Sequence, residues 1–219
     1  MTPTSIQRLI NQHRAPRLWL LFQNLFGGNA DKKRLVRWLC RTVGNVLEVG
    51  CSVGNIADAF RMTSTVQYVG LDIDDAAVAV ARLRFRNDSR FTFVCDELER
   101  YARQSGSRFD VVLFAGVLHH VDDSTAGRLL RTGGGLLRSD GYLVIVEPLP
   151  ATVAAPWLVS FYVNSLEQGR FVRDEGALRH LVEGAGLAIS NAQRVPIHAT
   201  PLRWPLCAYF AAIEATGRA

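Results

Sequence analysis

The segment with the clearest chemical pattern spans residues 46–55, where Glu48 stands two positions ahead of a glycine turn. The apolar residues around Glu48 are typical of a strand that is buried on both faces. Gly50 and Gly54 can adopt positive φ angles and have no Cβ that would block a ligand. A helix is predicted next, over residues 54–62. A strand, a glycine turn and a helix N-terminus in this order can form a concave backbone surface that holds a cofactor.

Acidic side chains end the next two predicted strands, where open α/β sheets bind their ligands. Asp72 stands 22 residues after Gly50, a distance typical of a carboxylate that accepts hydrogen bonds from two ribose hydroxyls. Asp96 ends the following strand and is suited to the exocyclic amine of a base. A strand-end Asp is also often a helix N-cap, and Asp74 is predicted to be one.

The glycine spacing excludes two common nucleotide sites. A dinucleotide fingerprint, Gly-x-Gly-x-x-Gly, would need glycines at the positions of Ser52 and Asn55. A P-loop would need Gly-Lys-Ser/Thr, which the sequence does not contain.

The bulk composition predicts one cytoplasmic domain. The chain has 219 residues, 48% of them hydrophobic, and no apolar run reaches the ~18 residues of a membrane span. Residues 1–14 mix polar and charged side chains, unlike a secretory signal. Four scattered cysteines predict free thiols and no metal site. The net charge of +5 mildly favours an anionic partner, but the preferred explanation is that the surface simply carries a few extra arginines.

Strand and helix patterns alternate from residue 45 onward, which predicts a Rossmann-like α/β fold with helices on both faces of a mostly parallel sheet. The predicted strands are 45–49, 66–72, 91–95, 109–114 and 141–147, and the predicted helices are 54–62, 74–86, 97–104 and 124–137. Helices over 153–166 and 174–185 follow, and then two successive strands, Leu187–Val195 and Trp204–Glu214. Because two successive strands can pair antiparallel, we expect a seven-stranded sheet with an antiparallel last strand.

These elements divide the single domain, residues 1–219, into three parts. Residues 1–43 are expected to form an N-terminal helical cap, with helices over 4–27 and 31–41. Residues 44–148 would form the cofactor-binding core. Residues 149–219 would supply substrate-side helices and the final strand pair.

On these motifs the chain resembles the class I S-adenosylmethionine-dependent methyltransferases, and within them the small-molecule enzymes with type 11 and type 25 domains. The matching motifs are Glu48-x-Gly50-Cys51-Ser52-x-Gly54, Leu71-Asp72, Cys95-Asp96, Val117-Leu118-His119-His120-Val121 and the segment 136–148. The resemblance implies S-adenosylmethionine as the cofactor. Its binding residues would be Glu48, Gly50 and Gly54 (methionine part), Asp72 (ribose), Asp96 (adenine), and Cys51, Ser52, Ile73, Glu97, Ala115 and Gly116. The family often has glycine where Ser52 stands.

Two residues are candidates for catalysis, His119 and Glu147. An oxygen nucleophile benefits from a base whose pKa lies near neutrality, and His119 is predicted to be that base. Adjacent helical residues point about 100° apart, so His120 is not expected to face the cleft in the same way. Glu147, at the end of the fifth strand, would orient the substrate. Alternatively, both histidines serve packing, and positioning of the reactants suffices.

The substrate side is predicted from four residues, His120, Tyr162, Arg170 and Arg173. The two arginines could clamp a carboxylate or phosphate, or lie in a solvated turn. Motifs of nucleic-acid amino and cytosine methyltransferases are absent after strand four, so a small-molecule acceptor is predicted and nucleic acid is unlikely. Two alternatives remain: an RNA methyltransferase that uses Arg82, Arg84, Arg86 and Arg90 with the Lys32–Arg41 helix, and a cofactor-binding subunit without catalysis.

Overall fold

The computed structural model describes residues 21, 29–40, 44–63, 66–150, 170–199 and 204–215, with the backbone alone from residue 196 onward. The predicted helices over 4–27 and 153–166 lie outside these residues, apart from Leu21. Tyr162 lies outside them as well.

A parallel sheet forms the centre of the fold. Its five strands are β1 (Asn45–Val49), β2 (Gln67–Asp72), β3 (Phe91–Cys95), β4 (Phe109–Ala115) and β5 (Leu137–Pro148), in the order β3-β2-β1-β4-β5. β7 (Trp204–Ala215) pairs antiparallel with β5, and β6 (Leu187–Ala199) pairs antiparallel with β7. The predicted α/β fold with a parallel sheet is confirmed. The strand order reverses between β1 and β4, which is where such sheets form their ligand crevice.

Among the described residues, five helices flank this sheet, namely α1 (Asn29–Leu39), α2 (Asp75–Phe85), α3 (Leu98–Ser105), α4 (Asp123–Gly135) and α5 (Glu175–Gly184). Three of them begin at an aspartate, Asp74, Asp122 or Asp174, whose carboxylate accepts a hydrogen bond from a first-turn backbone N–H. The N-cap predicted for Asp74 is confirmed. Within the described ranges, no helix has both the length and the apolar character that a membrane crossing requires.

The sheet is buried on both faces, which explains why its strands are almost wholly apolar. In β4, Val111 and Leu113 belong to one core cluster, and Val112 and Phe114 to the other. Helices α1 and α2 cover the first face, and α3, α4 and α5 cover the second. The described part of the predicted N-terminal cap, α1, therefore packs on the sheet through its buried residues.

The helix predicted over 54–62 is wrong. Only Ala57–Phe60 is helical, as a 3-10 turn in which Ala59 N donates to Ile56 O at 2.8 Å. The left-handed backbone at Ser52 and Gly54, with φ of 49° and 75°, continues the turn past the position where a helix would have to start. No α-helix N-terminus therefore follows the glycine turn, and the site depends on the turn itself.

The α4–β5 boundary also differs from the prediction. The helix ends at Gly135, and β5 begins at Leu137 instead of residue 141. A Cβ on Gly133 would lie 3.2 Å from the Phe114 ring, so the glycines at the end of α4 allow the helix to approach the sheet closely.

Candidate active site

The glycine turn after β1 is fixed by the neighbouring strand and loop. Gly50 N and Cys51 N both donate to Leu71 O, at 2.7 and 3.0 Å. Gly50 has a φ of 73°, and a Cβ there would lie 2.5 Å from Val117 Cγ2. Glycine is therefore required at this position, and the turn is in direct contact with the loop that follows β4.

Ser52 occupies a left-handed position within the same turn, with a φ of 49°. A residue with a Cβ is strained in this conformation by about 1–2 kcal/mol. This strain explains why glycine is common at this position in the methyltransferases that the sequence resembles.

We expect Ser52→Gly to raise the free energy of unfolding by about 0.5–1 kcal/mol, since the relief of strain exceeds the extra entropy of glycine in the unfolded chain. Urea unfolding would measure the change. Ser52→Val should lower the free energy of unfolding, because its branched Cβ increases the strain. Equal stability of the three proteins would contradict the strain argument.

Asp72 connects the glycine turn to the ends of β2 and β3. Its Oδ2 accepts from Ser52 N at 2.7 Å, and its Oδ1 accepts from Asp74 N at 2.9 Å. Its backbone carbonyl accepts from Asp96 N at 3.0 Å. Burial raises the pKa of Asp72, although the two backbone N–H groups oppose this shift. The strand ends that carry the predicted ribose and base carboxylates are therefore neighbours at the carboxyl edge of the sheet.

Asp96 lies just before helix α3 and is held by residues at the start of that helix. Its Oδ1 accepts from Glu97 N at 2.7 Å and from Arg100 Nε. Both contacts use the same oxygen, so Oδ2 has capacity for a further donor. Glu97 is exposed, and Ile73 presents a largely exposed apolar side chain between Asp72 and Asp74.

Glu48 is buried inside the protein beneath the turn. Tyr68 Oη donates a hydrogen bond to Glu48 Oε2. Burial raises the pKa of Glu48 to about 8, with Asp72 adding to the shift and the Tyr68 bond opposing it. The Glu48 carboxyl is therefore mostly protonated at neutral pH. Burial also raises the pKa of the Cys51 thiol beside it, which makes that thiol a poor nucleophile.

Tyr68 was missed in the sequence, although a signal for it exists. Glu48 pairs with Gly70 in the β1–β2 register, and Tyr68 lies two residues earlier on the same face of β2. An acid in a fully apolar strand needs a hydrogen-bond partner, and a tyrosine at this diagonal position can supply one.

His119 and Glu147 form a buried pair. His119 Nδ1 lies 2.6 Å from Glu147 Oε2, and the two side chains are 5% and 2% exposed. Glu147 also accepts from three backbone N–H groups of the turn that carries the histidine: Val117 N and Leu118 N at 2.8 Å and His119 N at 3.2 Å. One carboxylate therefore fixes both this turn and the imidazole ring.

The charge on Glu147 decides the tautomer of His119. Burial alone would raise the pKa of Glu147, but His119 and the backbone N–H groups outweigh it and hold the pKa below its usual range. An ionised carboxylate has no proton to donate, so His119 Nδ1 donates the hydrogen bond. In the neutral imidazole the lone pair is then on Nε2, which is the arrangement a general base requires.

The predicted substrate residues lie in different surroundings. His120 is exposed, with its ring centroid 4.0 Å from that of His119, and Arg170 is also exposed. Arg173 is buried and donates to Leu118 O, Val121 O and Asp123 Oδ1. The prediction that Arg170 and Arg173 clamp an anion is therefore corrected, because the Arg173 guanidinium binds carbonyl oxygens of the protein's own loop.

Ala115 and Gly116 were also predicted to bind the cofactor. Ala115 is the last residue of β4, and Gly116 follows it, just before the turn that carries His119. Gly116 has a φ of 77°, and its N–H donates to Val146 O at 2.8 Å. In the part of the chain that the structure describes, no group of three or more His, Cys, Asp or Glu side chains is arranged to hold a metal ion.

A family model described as a methyltransferase domain matches residues 11–191. The chain belongs to this methyltransferase family. The predicted family and enzyme class are confirmed, and S-adenosylmethionine is the methyl donor, as predicted. The motifs that carried the resemblance all lie within the matched range.

Curated relatives of the methyltransferase cover most of the chain at low identity. The ubiquinone biosynthesis O-methyltransferase of Neisseria meningitidis serogroup C is 24% identical over 171 residues, which are 74% of this chain and 71% of that protein. Nodulation protein S of Azorhizobium caulinodans is 27% identical over 140 residues, 61% of this chain and 65% of that protein.

Solved structures show that the fold is shared. The mitomycin 7-O-methyltransferase MmcR superposes with a TM-score of 0.70 at 18% identity, covering 99% of this chain but only 61% of MmcR. The 1,6-didemethyltoxoflavin-N1-methyltransferase of Burkholderia thailandensis gives 0.68 at 20% identity, covering 98% and 87% of the two chains. One of these proteins is named as an O-methyltransferase and the other as an N-methyltransferase, so the fold of the methyltransferase does not determine the acceptor atom.

Proposed function

We propose that this methyltransferase transfers a methyl group to a hydroxyl oxygen of a small, ring-bearing acceptor, with His119 as the general base and Glu147 orienting it. The observation that carries the proposal is the 2.6 Å contact between His119 Nδ1 and Glu147 Oε2. His119 belongs to the loop whose Val117 packs against the glycine turn, and Glu147 lies near the end of the adjacent strand β5. The base and the methyl-donor site are therefore neighbours.

The strand ends fit the methyl donor, which supplies a methyl group already activated on a sulfonium. Asp72 accepts backbone N–H groups from Ser52 and Asp74, and a carboxylate has about four acceptor positions, so ribose hydroxyl donors can be added. Asp96 Oδ2 suits the adenine amine, and Ile73 offers an apolar surface to the ring. Because Gly50 has no Cβ, Val117 of the loop after β4 packs directly against the glycine turn.

Asp72→Ala should weaken cofactor binding by about 1.5–3 kcal/mol, because it removes a charged acceptor of hydrogen bonds. Isothermal titration calorimetry with S-adenosylhomocysteine would measure this. Asp75→Ala is the matched control, since it removes the same charge from an exposed site three residues away. Unchanged affinity of folded Asp72→Ala would contradict the ribose assignment.

In the reaction, His119 Nε2 takes the hydroxyl proton while the acceptor oxygen forms its bond to the methyl carbon, and the carbon–sulfur bond breaks. The resulting imidazolium lies against Glu147, which stabilises its charge in a buried site where electrostatic interactions are strong. Displacement at an activated methyl mainly needs positioning. The base adds the deprotonation that a hydroxyl acceptor requires.

The acceptor class is proposed from the relatives. Three of the curated relatives are named for ubiquinone biosynthesis, which favours a hydroxyl on a quinone-like or phenolic ring. The proton of such a hydroxyl is within reach of an imidazole base at neutral pH.

The arginines of the 82–90 stretch support a small-molecule acceptor over RNA. Arg82 Nε donates to Phe93 O at 2.9 Å, Arg84 binds Val53 O and Asp58, and Arg90 binds Asp88. These three side chains use guanidinium N–H groups on the protein's own carbonyls and carboxylates, which leaves fewer of them for phosphates, whereas Arg86 is exposed. The cytoplasmic location stays a prediction.

Mass spectrometry of acceptors incubated with labelled S-adenosylmethionine tests the proposal. We expect catechols or hydroxyquinones to gain one methyl on oxygen and simple amines to gain none. Transfer to amines alone, or to tRNA alone, would contradict it.

A further inference from the structure

We propose that Arg173 is a positioning residue for the reaction, which holds the turn of His119 from the side opposite Glu147. This inference rests on the proposed function, because Arg173 would act through the base assigned there.

The contacts of Arg173 converge on the carbonyl oxygens of that turn. Its Nη1 donates to Leu118 O at 2.6 Å, and its Nη2 donates to Val121 O at 2.8 Å. Two residues earlier, Phe171 N donates to His119 O at 2.9 Å. The segment 171–173 therefore binds three carbonyl groups between residues 118 and 121.

Glu147 and Arg173 hold complementary halves of one short turn. The 3-10 turn Leu118–His120 has three residues, too few to be stable alone. Glu147 accepts hydrogen bonds from the N–H groups of the turn. Arg173 and Phe171 N donate hydrogen bonds to the carbonyl groups of the turn. The orientation of the His119 ring therefore depends on charged groups at both ends of the turn.

The carbonyl contacts, and not the ion pair, are the important part. Asp123 lies 2.7 Å from Arg173 Nη2, but its side chain is 83% exposed, and exposed ion pairs contribute little. The guanidinium is buried, and its planar fork fixes the directions of several N–H groups at once. A lysine cannot reproduce this geometry.

Arg173→Met is expected to lower kcat for a hydroxyl acceptor by about 10- to 100-fold, as a small misplacement of a catalytic group can do. Arg173→Lys should lower it to an intermediate extent. The affinity for S-adenosylhomocysteine should stay within about twofold in both variants, since Arg173 does not touch the glycine turn.

The decisive readout is a double-mutant cycle with His119→Gln. If Arg173 acts through His119, then Arg173→Met should have almost no further effect on kcat once His119 is gone. An equal loss in both backgrounds would overturn the inference and indicate a general structural role. Full activity of His119→Gln alone would instead refute the base assignment in the proposed function.

Asp123→Ala is the matched control because it removes the ionic partner of Arg173 and leaves the carbonyl contacts in place. We expect near-normal kcat. A loss as large as that of Arg173→Met would overturn the inference by assigning the effect to the ion pair. If Arg173→Met does not fold, Arg173→Lys takes its place in the double-mutant cycle with His119→Gln.

Discussion

Replacing His119 with glutamine is expected to slow methyl transfer to a hydroxyl acceptor by about 10²–10⁴-fold, because an amide cannot take the proton of the attacking group. Glutamine can still donate a hydrogen bond, so Glu147 need not be left as a buried charge without a side-chain donor. The loss should appear in kcat at saturating cofactor, while the affinity for S-adenosylhomocysteine changes little.

His120→Ala provides the matched control for this experiment. His120 is the next residue and its ring lies against that of His119, but it is exposed and is assigned no proton transfer. We expect its kcat at saturating acceptor to stay within a few-fold of the wild type, whereas the contact with the acceptor predicted for His120 would appear in KM. A His119→Gln rate equally close to the wild type would show that the reaction proceeds by positioning alone.

The second large effect concerns Glu48 and the pH dependence of stability. The pKa of Glu48 in the folded protein is raised from an ordinary value near 4.5 to about 8. The folded state therefore holds a proton that the unfolded state releases. This contribution to stability is fully present below pH 4.5 and is lost as the pH rises to about 8. At 1.36 kcal/mol per unit, the loss is on the order of 3–5 kcal/mol.

Glu48→Gln should remove this component, because the amide stays neutral and can still bond to Tyr68. The variant should therefore gain stability relative to the wild type as the pH rises from 5 to 8. Urea unfolding at several pH values, without cofactor, measures the difference. Glu183→Gln, at an exposed site, is the control and should follow the wild type. Parallel curves for Glu48→Gln and the wild type would contradict the assignment of a buried neutral carboxyl.

Much of the fold could be predicted because the signals are local and repeated. Apolar runs that end in an acid or a glycine gave β1, β2 and β3 nearly to the residue. The helix over 54–62 could not be excluded, because apolar spacing does not reveal the left-handed backbone at Ser52 and Gly54. The dihedral angles of this turn depend on the neighbouring strand, because Gly50 N and Cys51 N donate to Leu71 O. A contact with a residue about twenty positions away cannot be predicted from the local sequence.

The positions of His119 and Glu147 could be predicted, but their contact could not. His119 follows the end of β4, Glu147 lies near the end of β5, and the pairing of Ala115 with Val146 between these strands brings them together. The predicted direct role of Glu147 on substrate assumed that its side chain faces the cleft. The structure shows that the Glu147 carboxylate binds backbone N–H groups of the turn and the His119 ring. We therefore propose that Glu147 acts through His119.

Arg173 illustrates what spacing cannot show. Its distance of three residues from Arg170 indicated a shared face and a possible anion clamp. Its real partners, Leu118 and Val121, lie about fifty residues earlier in the chain. Contacts of this kind depend on how α5 and its preceding segment return to the sheet, which no local pattern specifies.

We propose that glycines and acids from separate strands converge on one molecule of S-adenosylmethionine. Equilibrium dialysis of the wild-type chain against labelled S-adenosylmethionine tests it most directly. We expect one bound molecule per chain, which S-adenosylhomocysteine displaces and which Asp72→Ala binds about 10- to 100-fold more weakly. A folded wild-type protein that retains no label, or one whose binding is unaffected by Asp72→Ala, would contradict it.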